Sequence, residues 1–124
     1  MTQDTFRRIA LGMTGAVEGA HMGHPDFRAN GSIFATLSAD GRRGMVRLTP
    51  AQQREFVVAN QGMFEPASGA WGRQGCTMVA LAEADEEVVG EAMTLAWRNR
   101  AKARTAKKTS APKKAAAGRR RRPR

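Results

Sequence analysis

Two dipeptides constrain this chain most: Asn30-Gly31 and Asp40-Gly41. Both accept positive φ and favour tight hairpin turns. They lie within residues 21–48, HMGHPDFRANGSIFATLSADGRRGMVRL. The runs at 32–37 and 44–48 are short, rich in apolar residues and of strand length. Three strands joined by two turns make a meander, and the helical segments on either side of it have an apolar surface to cover.

Those segments are readable. At residues 2–13, Thr2 or Asp4 can cap a helix whose Phe6, Ile9, Ala10 and Met13 share one face. The stretch after it leads into the first strand, where Pro25 limits pairing. Thr49-Pro50, with Gln52 at the capping-box position, starts a second helix. Phe56 and Val57 or Val58 supply its buried face, and it stops near Asn60-Gln61-Gly62. Residues 63–69, with Pro66, read as a loop. Residues 70–73 and 76–82 read as two more strands, with a sharp turn allowed by Gly72 and Gly75. Asp85 caps a third helix, along which Val88, Val89, Ala92, Leu95, Ala96 and Asn99 form a stripe. The order α-β-β-β-α-β-β-α predicts a two-layer α+β fold, an antiparallel sheet of about five strands with helices packed on it.

Charge divides the chain. Residues 102–124 hold 11 of the 21 Lys and Arg and no acid, so residues 1–101 carry a net charge of −1. The overall +10 therefore belongs to the C-terminal segment. Past Ala101 there are no large apolar residues to offset ordering entropy. Residues 1–101 read as one α+β domain and residues 102–124 as a disordered basic Lys/Arg/Ala-rich tail, its start a fraying helical end. The single cysteine, Cys76, cannot form an intramolecular disulfide and reads as a partly buried strand residue. There is no apolar leader and no run long enough to span a bilayer, so a cytoplasmic location away from the membrane is expected.

Catalytic signatures are missing. His21 and His24 flank Met22-Gly23 with Asp26 nearby, but on one strand positions i and i+3 face opposite ways. No further His and no second Cys completes a transition-metal set, so the pair reads as surface or pocket imidazoles, with no metal and no cofactor expected. Glu83, Asp85, Glu86, Glu87 and Glu91 suit a helix N-terminus. GAWGRQG at residues 69–75 lacks the Lys-Ser/Thr ending of a phosphate loop. Trp71 reads as an anchor between hairpin and helix, and Trp97 as lying on the helix face or its flank. An enzyme is not expected.

Several blocks together resemble the MmcQ/YjbR family. They are HMGHPDFR (residues 21–28), GSIFATL (31–37), GRRGMVRLTPAQQ (41–53), FEPASGAWGRQG (64–75) and EAMTLAWRN (91–99). The resemblance covers nearly all of residues 5–100 and excludes the tail. It implies a compact α+β fold similar to CyaY-like and secretion-chaperone-like proteins. It also implies DNA binding through a double-wing arrangement of hairpins, and no catalytic residues.

The expected function is therefore non-enzymatic DNA binding. Arg42 and Arg43 at one turn, Arg28 near another, Arg47 on the strand between and Arg73 at a third would contact phosphates and grooves. Tail residues Lys107, Lys108, Lys113, Lys114, Arg119, Arg120, Arg121 and Arg122 would add attraction independent of sequence. The alternative for the body is that its arginines are solvated charges balanced by its 11 acids. Two other functions fit the residues. One is a protein-interaction or chaperone-like module working through the sheet. The other is a small-ligand binder with a pocket near His21, His24 and Trp71.

Overall fold

The computed structural model describes residues 1–109, without the side chains of His21 and residues 101–109. The chain runs α1 (Gln3–Leu11), β1 (Val17–His21), β2 (His24–Ala29), β3 (Ser32–Leu37), β4 (Arg43–Arg47), α2 (Pro50–Ala59), β5 (Phe64–Pro66), α3 (Gly69–Arg73), β6 (Cys76–Ala80), a 3-10 turn (Leu81–Glu83) and α4 (Glu86–Thr109). The strands form one antiparallel sheet in the order β1-β2-β3-β4-β6-β5.

Local chemistry sets the helix starts. Thr2 Oγ1 accepts from Thr5 N at the start of α1. At α2, Thr49 and Gln52 make both bonds of a capping box, with Pro50 in the first turn. Asp85 Oδ1 accepts from the amides of Glu87 and Val88, satisfying two of the free donors that open α4.

Helices α1, α2 and α4 cover one face of the sheet. Leu37, Val46 and Val79 are fully buried there with Phe6 and Ala10 of α1 and Val89, Ala92, Met93 and Ala96 of α4. Phe56 of α2 meets Phe64 of β5 edge-on, ring centroids 5.3 Å apart. The β2–β3 register slips between Phe27 and Arg28, leaving one extra residue on β3. This bulge lets Phe34 and Ala35, adjacent in sequence, both be buried.

The sheet has six strands rather than five, and the difference has three parts. A further hairpin joins β1 to β2 through Met22-Gly23, both at positive φ. Residues 64–66, expected in a loop, form an edge strand against β6 that ends at Pro66, where a missing donor costs no ladder bond. Residues 70–73, expected as a strand, are helical. Their one-turn helix closes through Gln74 N to Ala70 O at 3.1 Å. Finally, α4 runs through Thr109, so the composition change at Ala101 falls inside a helix. Residues 110–124, including the basic Lys113, Lys114 and Arg119 to Arg122, lie outside the described residues.

Candidate nucleic-acid interface

The second face of the sheet carries no long helix. In the ladder, Thr36, Met45, Met78 and Glu65 lie side by side, one step from the buried Leu37, Gly44, Val79 and Phe64. Alternation therefore turns them to the opposite face. On β4 the same alternation places Arg43 and Arg47 with Met45. Here α3 and the segment before it form a wall, enclosing a groove of about 520 Å³. Thr36, Met45 and Met78 lie along it, with Trp71 and Ser68 on the wall and His24, Arg43 and Glu65 among the other lining residues.

Close backbone packing holds the wall. A Cβ on Gly72 would lie 1.8 Å from the Ala67 carbonyl oxygen, and one on Gly75 would lie 1.9 Å from that of Leu48. Only glycine permits either approach. From α2, the buried Gln53 donates through Nε2 to the carbonyls of Gly72 and Cys76, both at 3.0 Å. One side chain thus fastens α3 to β6. A polar residue on a helix with a weak apolar face gave no sequence signal for this role.

The predicted arginines separate into kinds. Arg28 holds Asp26 through two bonds, Nε to Oδ1 at 2.8 Å and Nη2 to Oδ2 at 3.1 Å. Asp26 is 1% exposed, and this hydrogen bond raises the Arg28 guanidinium further above its usual value. Arg43 lies 3.7 Å from Glu65. Arg42 sits in the β3–β4 turn, where Asp40 Oδ1 accepts from Ser38 Oγ at 2.6 Å and from Arg42 N at 3.0 Å. These bonds hold the Asp40 carboxyl below its usual range. Arg73 is on α3 rather than on a hairpin. Arg42, Arg47 and Arg73 have no ion pair among the described residues.

Trp71 is not the packed anchor expected from sequence. It is 60% exposed, and the Arg47 guanidinium lies 5.6 Å from its ring centroid. Trp97 is the more anchored indole, donating Nε1 to the Thr14 carbonyl. His24 and Trp71 do share the groove, while His21 is the backbone partner of His24 across a two-residue turn.

The groove continues to Cys76. Burial raises its thiol above the usual value against the opposing charges of Arg47 and Arg100. Sequence reasoning missed Arg100. Its Nε is buried with no hydrogen-bond partner among the described residues. Burial, then the like charge of Arg47, lowers its pKa. Among the described residues there is no cluster of three His, Cys, Asp or Glu fit to hold a metal, and no helix is long and apolar enough to cross a membrane.

No family model and no curated protein matches the sequence. Among solved structures, the fold is similar to the crystal structure of Deinococcus radiodurans protein DR2400, which carries a DUF419 domain. The TM-score is 0.63 at 16% identity, over 90% of this chain and 83% of that one. DUF419 is the MmcQ/YjbR-like family. At this identity the likeness shows a shared α+β fold.

Proposed function

We propose that this protein is a divergent member of the MmcQ/YjbR family and a non-enzymatic DNA-binding protein. The observation that carries the function is the distribution of charge. Eleven cations without an acid follow a body of net charge −1, so long-range attraction to a polyanion comes from the C-terminal segment. The folded domain contributes Arg42, Arg47 and Arg73, which have no ion pair among the described residues. Arg28 and Arg43 are withdrawn from this role, because each already has an acidic partner.

The salt dependence of duplex DNA binding tests this reading. Each phosphate neutralised contributes about −0.9 to the slope of log affinity against log salt. The full chain should show a steep slope that is nearly indifferent to sequence. A chain ending at Ala101 should show a shallower slope and an affinity lower by orders of magnitude at low salt. Equal slopes for the two would remove the C-terminal segment as the anchor.

A further inference from the structure

We propose that the groove on the face without a long helix takes an unpaired nucleotide of single-stranded DNA, its base against Trp71 and its phosphate at Arg47. This rests on the DNA-binding reading above and adds the strand form and the site. Four features support it.

First, Trp71 is a large apolar side chain left 60% exposed on a one-turn helix held in place by Gln53 and two close-packed glycines. The arrangement presents the indole rather than burying it. Exposed aromatic rings beside arginines are how proteins hold unpaired bases, because every base has a face to stack. Second, the adjoining surface suits a flat, weakly polar ring: Met45, Met78 and Thr36 line it. Its volume of about 520 Å³ falls within the usual range for small-molecule sites, roughly 300–1,000 Å³.

Third, Arg47 stands at the Cys76 end of the groove, as the ladder partner of Cys76. Arg47 has no ion pair among the described residues. Its guanidinium lies 5.6 Å from the Trp71 ring centroid. A phosphate is an acceptor that a guanidinium holds well through its paired N–H donors. Fourth, the acid in the groove is already occupied. Glu65 lies beside Arg43, and its ladder row is two residues, about 7 Å, from the Arg47–Cys76 row. A duplex keeps its bases stacked inside and cannot offer one to Trp71, whereas a single strand can.

The test uses the full chain with fluorescent dT10 and with the dT10·dA10 duplex. Trp71→Ala should weaken dT10 binding roughly tenfold or more, from the loss of one stacked base, and leave duplex binding within about twofold. Trp71→Phe, which keeps a ring, should recover most of the loss. Arg47→Ala should weaken dT10 binding and reduce its salt slope by about 0.7, one single-strand phosphate. If dT10 and duplex bind the wild type but neither Trp71→Ala nor Arg47→Ala affects them unequally, the groove site is wrong and DNA binding stands. If the wild type binds neither at low salt, the DNA-binding reading fails and the site fails with it.

Discussion

The two faces of the sheet are built by the same strands and have opposite character. On one, Leu37, Val46 and Val79 are fully buried against Phe6 and the apolar side of α4. On the other, Thr36, Met45 and Met78 are only half-buried, and two arginines of β4 stand beside them. Because successive strand residues point to opposite sides, the chain can assign stability to one set and contacts to the other. The covered face should tolerate little change. The open face should tolerate much change in stability terms, and that freedom is what a binding surface requires.

The largest expected effect tests this division directly. Phe6→Ala removes a ring at 0% exposure and should cost ~3–5 kcal/mol in denaturant unfolding. Trp71→Ala, an aromatic truncation of similar size on the open side, should cost well under half as much, because the indole is mostly in water. Equal losses would mean that α3 belongs to the core and that the groove is not a separable surface.

Within the open face, the arginines should differ. Arg28→Ala leaves the Asp26 carboxylate buried without its bidentate partner and should cost roughly 1–3 kcal/mol, with DNA binding of the folded fraction unchanged. Arg42→Ala removes an exposed charge with no ion pair among the described residues and should stay within about 0.5 kcal/mol of wild type while weakening DNA binding. The reverse pattern would assign Arg28 to the interface and Arg42 to the fold.

Sequence reading found what local chemistry dictates. Asn30-Gly31 turns with both residues at positive φ, and Thr49-Pro50 and Asp85 start their helices as expected. It missed the Met22-Gly23 hairpin because methionine is a poor residue for the left-handed region it occupies, φ 53°. It took α3 for a strand because five residues are too few to show a helical period, and because paired glycines serve a hairpin as readily as a close backbone crossing. His24 and Trp71 were named from sequence and do share a groove. The fold alone identifies Gln53 and Arg100. One is a glutamine on a polar helix and the other is one residue beyond a helical stripe, and neither position carries a local signal. Their surroundings exist only after elements distant in sequence come together.

The most direct test of the account is to map amide and indole shifts of the full chain on titration with dT10. Within the folded domain, the shifts should concentrate on the Trp71 indole N–H, on Thr36, Met45 and Met78, and around Arg47. The exposed sides of α1 and α2 should stay unchanged. Shifts confined to the hairpin tips or to the helical layer, with Trp71 unmoved, would contradict it.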